Sequence, residues 1–214
     1  MKPKIKLCGM MRDCDIEFAN AAMPDYVGFV FADTRRRITA EQAANFRAML
    51  CSGIQAVGVF VDADAAYAGR LLKEGIIDIA QLHGNEDAAY ISRLREISDA
   101  PIIKAVKVTC AEDILRASEL DVDYLLLDTY RKGVPGGTGE RFDWDIIDTV
   151  RGGKAEQEIC GKPFFLAGGL NLNNLRDAAA VGPYGLDIST GIETDGYKDR
   201  DKMLEAVRTV RCCV

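Results

Sequence analysis

The sequence predicts an α/β protein that forms one (β/α)8 barrel, the TIM-barrel fold, as a single domain over residues 1–214. Eight short apolar segments alternate with eight amphipathic segments along the chain, which is typical of a parallel sheet with helical crossovers. The short segments are almost continuously apolar, as in parallel strands covered on both faces. No linker rich in proline, glycine or serine divides the sequence. An open doubly wound sheet is the alternative, because alternation alone does not close a barrel.

The predicted strands are the apolar runs, which are rich in β-branched and aromatic residues. They are residues 4–8, 26–31, 56–61, 76–82, 102–106, 124–127, 163–167 and 184–188.

The predicted helices lie between these strands and repeat apolar residues at a spacing of three or four, as Tyr90, Ile91 and Leu94 do. They are residues 13–22, 40–50, 64–74, 86–97, 112–120, 144–150, 172–180 and 200–210. The glycine-rich residues 133–139 are predicted to form a loop after the sixth strand. The polar residues 151–162 are predicted to form an excursion before the seventh strand, away from the active face.

The composition limits which classes of ligand and which cellular compartment we expect. The formal net charge of −6 and the pI of about 5.0 argue against a nucleic-acid site built on a broad basic surface, but a few aimed donors can still bind a small anion. Seven cysteines without a CxxC pair fit neither a disulfide framework nor a zinc module. We find no signal-peptide pattern and no apolar run near the ~20 residues that span a bilayer. We therefore expect a cytoplasmic protein that does not bind membranes.

Two predicted strands end in a reactive side chain. Cys8 ends the first strand directly before glycine, and Asp128 follows three leucines in the sixth. In a (β/α)8 barrel, the loops after the strand C-termini build the active site. A thiol and a carboxyl presented there can act as base and acid on one substrate. The alternatives are a small core hydrophobe for the thiol and a helix cap for the carboxylate.

Further candidates follow the other strands. The run Arg35-Arg36-Arg37 can supply a guanidinium that clamps a carboxylate, or it can be a solvated patch. His83 is the only histidine, so a multi-histidine metal site is excluded; it can position a ligand or satisfy local hydrogen bonds. For Asp187, a functional role and a structural role are both open. Phosphate binding is predicted after strands seven and eight, at Gly168, Gly169, Ser189, Thr190 and Gly191.

Nine motifs run in order along nearly the whole chain. They include Lys6-Leu7-Cys8-Gly9, Gln81-Leu82-His83-Gly84, Leu126-Leu127-Asp128, Gly136-Gly137-Thr138-Gly139, Leu166-Ala167-Gly168-Gly169 and Ser189-Thr190-Gly191-Ile192-Glu193. With these motifs the chain closely resembles the phosphoribosylanthranilate isomerase family of tryptophan biosynthesis.

The resemblance implies an Amadori rearrangement with Cys8 as general base and Asp128 as general acid. It implies that no metal or organic cofactor is needed, and that the chain acts on a small anionic substrate as a monomer or homodimer. It places the anthranilate carboxylate on Arg36, although the shortened loop leaves Arg35 and Arg37 open, and it places Gly137 and Gly139 near a closing loop. For this chemistry we expect a raised pKa at Asp128 and a lowered pKa at Cys8, with Lys6 as one candidate cation.

Three other functions remain as alternatives. The first is the related isomerase of histidine biosynthesis, whose pattern has two aspartates where this chain carries Cys8 and Asp128. The second is a non-catalytic barrel that binds phosphometabolites. The third is a thiol redox protein, suggested by Cys212 and Cys213, which we interpret as incidental because no CxxC motif accompanies them.

Overall fold

The structure is a computed structural model that describes residues 2–129, 144–152 and 158–213. Eight parallel strands close into a barrel. They are β1 (Lys4–Cys8), β2 (Tyr26–Val30), β3 (Gln55–Phe60), β4 (Ile79–Leu82), β5 (Ile102–Val108), β6 (Tyr124–Thr129), β7 (Lys162–Leu166) and β8 (Gly185–Ile188). Each strand pairs in parallel with its neighbours in sequence, and β1 pairs with β8 to close the circle. The open doubly wound sheet is therefore excluded.

Helices connect successive strands on the outside of the barrel. They are α1 (Asp13–Ala22), α2 (Ala40–Met49), α3 (Ala65–Lys73), α4 (Ala88–Ile97), α5 (Ala111–Ser118), α6 (Asp145–Arg151), α7 (Leu175–Ala180) and α8 (Arg200–Cys212). Side-chain caps set several of their starts. Thr39 accepts a hydrogen bond from the backbone N–H of Gln42, and Asp199 accepts from the first turn of α8, which satisfies donors that the helix itself leaves unpaired.

The predicted strand over residues 76–82 begins late, at Ile79. Gly75 takes a positive φ of 68°, and the backbone N–H groups of Ile76 and Ile77 both donate to the carbonyl of Leu71 at the end of α3. The side chain of Ile77 is nevertheless buried. This apolar run is therefore a buried turn that continues the helix C-terminus, and burial alone made it resemble a strand.

Residues 158–161, which follow α6 in the described chain, lie at the N-terminal end of β7. Gly152 ends α6 with a φ of 63°. Residues Glu158–Ile159 then pair antiparallel with Lys162 and Pro163 at the start of β7. The described part of the polar excursion predicted over 151–162 thus lies at the end of the strand opposite the predicted active face, and residues 153–157 lie outside the described residues.

Two layers of apolar side chains form the core. The outer layer lies between sheet and helices and includes Ile5, Leu7 and Phe29. The inner layer fills the lower barrel and includes Tyr26 and Phe165, whose rings meet edge to face with centroids 5.6 Å apart. This inner layer fills the barrel below the strand C-termini. Among the described residues, no helix combines the length and apolar character needed to cross a bilayer.

Candidate active site

A cavity of about 340 Å³ opens at the C-terminal end of the barrel. It is within the size range of small-molecule sites. Side chains alternate across each strand, so inward positions above the apolar layer point into it. Nine of the residues predicted from the sequence line the cavity: Cys8, Arg36, His83, Asp128, Gly168, Gly169, Asp187, Ser189 and Thr190.

Cys8 is buried at the end of β1 and lies opposite Gly28 of β2. A Cβ atom at Gly28 would lie 2.5 Å from Sγ of Cys8, so only glycine leaves room for the thiol. Ile5 and Leu7 point outward into the helix layer, so Lys6 points inward beside Cys8. The thiol therefore lies in the cavity wall, next to a lysine of its own strand.

The pKa of Cys8 differs in direction from our expectation. Burial raises it above its ordinary value, because a thiolate loses solvation there. The positive charges of Lys6 and Lys198 oppose this effect, and the negative charge of Asp187 adds to it. The net shift is upward, so the sequence-based expectation of a lowered pKa was wrong for the ligand-free protein.

Lys6 and Asp187 form a buried ion pair. Strand register places them opposite each other, and Nζ of Lys6 lies 2.9 Å from Oδ1 of Asp187. Burial alone would lower the pKa of Lys6, but attraction to Asp187 and Cys8 raises it overall. The Lys6 ammonium therefore stays charged beneath the thiol, and Asp187 serves as its counter-ion.

Asp128 faces the cavity from β6 and is held by a chain of two side chains from β4 and its loop. Oδ2 of Asp128 lies 3.1 Å from Nε2 of His83, and Nδ1 of His83 lies 2.9 Å from Nε2 of Gln81. Gln81 is fully buried. Lys104 also supports the loop that carries His83, because its Nζ binds the carbonyl of Gly84 at 2.7 Å and Glu86 at 2.9 Å.

One wall of the cavity is apolar and ends at a cation. Val30, Ala32 and Val59 form a small buried cluster with Cys8, and Arg36 lies at its rim. Arg36 donates from Nε and Nη2 to the two carboxylate oxygens of Glu193, at 2.8 and 3.1 Å. An apolar slot that ends at a guanidinium suits a flat aromatic ring carrying a carboxylate.

The three consecutive arginines occupy different places. Only Arg36 lines the cavity. Arg35 is half exposed and binds Glu193 and the carbonyl of Gly196 from outside. Arg37 is exposed and lies 3.9 Å from Asp33. This placement favours Arg36 for the predicted carboxylate contact.

The loops after β7 and β8 bring backbone to the cavity as well. Gly168 and Gly169 take φ values of 83° and 65°, a conformation that favours glycine, and Ser189 and Thr190 line the same space. Turns of this kind present backbone N–H groups to anions. Gly191 is placed behind them, since a Cβ there would lie 2.0 Å from the carbonyl oxygen of Leu170. Gly137 and Gly139 lie outside the described residues.

Two charged residues at the site were not singled out from the sequence. Lys198 and Glu193 lie on a short antiparallel hairpin after β8, Glu193–Thr194 with Tyr197–Lys198, and their Nζ and Oε1 atoms are 2.8 Å apart. Glu193 ends the motif Ser189-Thr190-Gly191-Ile192-Glu193, but only the three-dimensional structure shows that its side chain pairs with Lys198. Within the described ranges, no group of three or more His, Cys, Asp or Glu side chains is placed to hold a metal ion.

The fold and this cavity define a (β/α)8-barrel enzyme whose site carries a thiol, a carboxyl and several cations. The family model described as N-(5'phosphoribosyl)anthranilate (PRA) isomerase matches residues 5–209. The chain belongs to this family, as the sequence motifs predicted.

Individual relatives agree with this assignment. The chain is 43% identical over 210 residues to the N-(5'-phosphoribosyl)anthranilate isomerase of Endomicrobium trichonymphae, covering 98% of each. It is 43% identical over 206 residues to that of Lachnoclostridium phytofermentans, covering 94% of each. The crystal structure of phosphoribosyl anthranilate isomerase from Thermotoga maritima superposes with a TM-score of 0.83 at 30% identity, covering 98% of both chains.

A further solved structure of such an isomerase holds reduced 1-(o-carboxyphenylamino)-1-deoxyribulose 5-phosphate, and it superposes with a TM-score of 0.79 at 29% identity, covering 98% of both chains. The family and the barrel fold predicted from the sequence are confirmed.

Proposed function

We propose that this chain converts N-(5'-phosphoribosyl)anthranilate into 1-(2-carboxyphenylamino)-1-deoxyribulose 5-phosphate, the Amadori rearrangement of tryptophan biosynthesis. The observation that carries the proposal is the arrangement of one cavity. A thiol on β1, a carboxyl on β6, an arginine, an apolar wall and the glycine-rich loop after β7 all line it. The family relationship supports the same reaction.

In this proposal the substrate lies across the barrel mouth. Its phosphate lies against the backbone of Gly168, Gly169, Ser189 and Thr190. Its aromatic ring lies against the apolar wall, with the carboxylate on Arg36. Remote charged groups fixed in this way hold the ribose between base and acid, which lowers the entropic part of the barrier.

The acid–base steps follow from this position. Asp128 protonates the furanose ring oxygen, and the ring opens to a Schiff base. The thiolate of Cys8 then takes the proton from C2′, which leaves an enolamine. Its enol loses the hydroxyl proton while C1′ gains one, and the ketone forms. Each positioned acid or base typically contributes ~10²- to 10⁴-fold.

The upward pKa shift of Cys8 has a consequence for this reaction. Only a fraction of the thiol is ionised at neutral pH, so any group that stabilises the thiolate raises the rate. Lys6, charged and buried beneath the thiol, is one such group in this proposal. We also infer that residues 1–214 form a single domain, that it is cytoplasmic, and that it binds neither nucleic acid nor membranes.

We further infer that the working unit is a monomer or a homodimer. Residues of one chain that the structure describes bring the thiol, the carboxyl and the arginine to one cavity, which supports a site formed within each subunit. A solved structure with a TM-score of 0.79 at 29% identity describes monomers made from a dimeric isomerase of Thermotoga maritima. Light scattering after gel filtration, combined with activity on dilution, tests the inference. A larger assembly that loses activity on dissociation contradicts it.

The direct test follows the anthranilate fluorescence of freshly made substrate. Wild type is expected to remove it far faster than spontaneous breakdown, and Cys8→Ala and Asp128→Asn are each expected to lose ~10²-fold or more. Cys51→Ala is the matched control, because Cys51 is an exposed thiol that follows α2. A wild type no faster than spontaneous decay would leave the phosphometabolite-binding barrel or the histidine-pathway substrate, which is assayed in parallel.

A further inference from the structure

Lys198 is a buried lysine whose ammonium reaches the active-site end of the barrel. Its side chain is 0% exposed. Nζ donates to the carbonyl of Ser189 at 2.9 Å and to Oε1 of Glu193 at 2.8 Å. Its backbone is held as well, because Arg12 donates from Nη2 to the carbonyl of Lys198 at 3.0 Å. The hairpin thus delivers this charge to one fixed place.

That place is next to the backbone of the predicted base. Gly9, which follows Cys8, has a φ of 91°, and a Cβ built on it would lie 3.5 Å from Nζ of Lys198 and 2.5 Å from Cδ of Arg36. Ser189, whose carbonyl holds the ammonium, also donates its hydroxyl to the carbonyl of Cys8 at 3.3 Å. Gly9 therefore lets two cations approach the end of β1.

The charges around Cys8 leave this ammonium incompletely neutralised. On β1, Lys6 has its own counter-ion, Asp187 of β8. In contrast, the one carboxylate of Glu193 is shared by Lys198, Arg36 and Arg35. Three positive charges thus surround a single negative one, and the excess lies on the side of the cavity where Cys8 ends its strand.

We propose that Lys198 is a positioning residue for Cys8: held by Glu193 and Ser189, its ammonium stabilises the thiolate form of the base. Glu193 then has two tasks, since it holds both this ammonium and the guanidinium of Arg36. The proposal deepens the proposed function, on which it rests, because it needs Cys8 to act as a base.

The pKa shifts support the geometry. Burial raises the pKa of Cys8, whereas Lys6 and Lys198 are the two cations that lower it. Burial also lowers the pKa of Lys198 itself, against hydrogen bonding and attraction from Glu193. A buried lysine–carboxylate pair is often no more stabilising than apolar side chains of similar volume. Stability alone therefore gives no strong reason for a lysine at this place.

The test measures the pH dependence of Cys8 alkylation by iodoacetamide, with the Cys8 peptide quantified by mass spectrometry. It needs no substrate. Lys198→Met and Lys198→Gln both remove the charge, and the glutamine keeps a donor toward Ser189 and Glu193. In each, we expect alkylation at neutral pH to fall about tenfold and the profile to move to higher pH, because a nearby cation shifts a pKa by about one unit or more.

Two control variants separate the effect of the Lys198 charge from the effect of changing the structure around it. Lys202→Met removes a neighbouring lysine whose Nζ donates to the backbone carbonyl of Glu193 at 2.7 Å; both contacts of the Lys198 ammonium remain available, so the Cys8 profile is expected to stay unchanged. Lys198→Arg keeps the charge and is expected to stay within about threefold of wild type. If Lys198→Met does not fold, Lys198→Gln decides the result.

Each result has one meaning. The proposal is supported if the pH profile of Cys8 alkylation moves to higher pH in Lys198→Met and Lys198→Gln and does not move in Lys202→Met or Lys198→Arg. An unmoved profile in folded Lys198→Gln, or an equal movement in Lys202→Met, overturns it and leaves Lys198 a structural residue. Failure of the isomerase assay is a separate result, because alkylation of Cys8 is measured without turnover.

Discussion

The side chains of His83 and Asp128 are joined by a hydrogen bond in this structure. Nε2 of His83 lies 3.1 Å from Oδ2 of Asp128, and Nδ1 lies 2.9 Å from the amide nitrogen of Gln81. An amide nitrogen can only donate, so this orientation of the Gln81 amide makes Nδ1 the acceptor and predicts that Nε2 carries the ring proton. The only histidine of the chain thus holds the carboxyl that we propose as the acid.

This relationship predicts the tautomer of His83. In ¹⁵N-histidine-labelled protein at alkaline pH, we expect the Nε2–H tautomer, read from long-range proton–nitrogen correlations. A single histidine gives a single set of signals, so assignment needs no other variant. Gln81→Leu removes the donor to Nδ1 and is expected to bring the Nδ1–H form into the spectrum. If wild type already shows the Nδ1–H form, then the Gln81 amide is reversed and the ring accepts from Asp128.

Gly28→Ala is expected to remove activity while the fold persists. The new Cβ would lie 2.5 Å from Sγ and 3.0 Å from Cα of Cys8, so the thiol must move. Overpacking of this kind costs about 1–3 kcal/mol, and a displaced base costs about 10²-fold in kcat. Urea unfolding and the fluorescence assay measure the two effects.

Gly53→Ala is the matched control for this substitution. Its new Cβ would lie 3.5 Å from the end of the Met23 side chain, which is an ordinary contact. We therefore expect little change in the free energy of unfolding or in kcat. Retention of kcat in Gly28→Ala would show that the Cys8 thiol does not need its present place.

Arg36→Met is expected to raise KM more than it lowers kcat. Arg36 lies at the rim of the apolar slot, and a charge-assisted hydrogen bond contributes about 1.5–3 kcal/mol, which corresponds to about 10- to 100-fold in KM. Arg35→Met is the control, because Arg35 holds Glu193 but does not line the cavity. Equal KM values in the two variants would show that the carboxylate is not bound at Arg36.

Because of Glu193, the free energy of unfolding is expected to decrease as the pH falls into the acid range. Burial alone would raise its pKa, but hydrogen bonds from Arg36 and Lys198 lower the pKa of Glu193 to about 2. A depressed pKa stabilises the folded state above the unfolded value, near 4.5, and this stabilisation is lost as pH falls toward 2. Its full size is about 3 kcal/mol.

Urea unfolding of wild type and Glu193→Gln measures this effect. The difference in the free energy of unfolding is expected to be largest at neutral pH and to close as the pH falls through this window. Glu205→Gln is the control, since Glu205 is exposed and lies 3.9 Å from Arg208; surface pairs of this kind contribute at most about 1 kcal/mol. A difference that does not change with pH would mean that Glu193 acts only through packing.

The order of strands and helices could be predicted because hydrophobic periodicity records which faces are buried. Element ends were less predictable, because tertiary hydrogen bonds set them. Residues 76–78 are as apolar as a strand, yet their backbone completes the turn after α3. Conversely, β6 runs past the predicted residue 127 to Thr129, because it keeps pairing with Val108 of β5.

Candidate site residues at the ends of strands could be predicted from the barrel rule, since one rule brings distant strand ends together. Cys8, Asp128 and Arg36 line one cavity as expected. Lys198 and Glu193 could not be found in this way, because they lie on a hairpin whose side chains turn back over the barrel mouth. The predicted direction of the Cys8 pKa was wrong because sequence does not report the depth of burial.

By itself, the sequence determined the barrel, the family and the strand ends that carry a thiol, a carboxyl and an arginine. The barrel, the family and these strand ends follow from apolar patterns that repeat every two to four residues and from the order of the motifs along the chain. Only the tertiary structure decided which polar side chains meet there: Lys6 with Asp187, His83 with Asp128, and Lys198 with Glu193. Ion pairing and desolvation depend on distances of a few ångströms between residues far apart in the chain, and folding alone sets those distances.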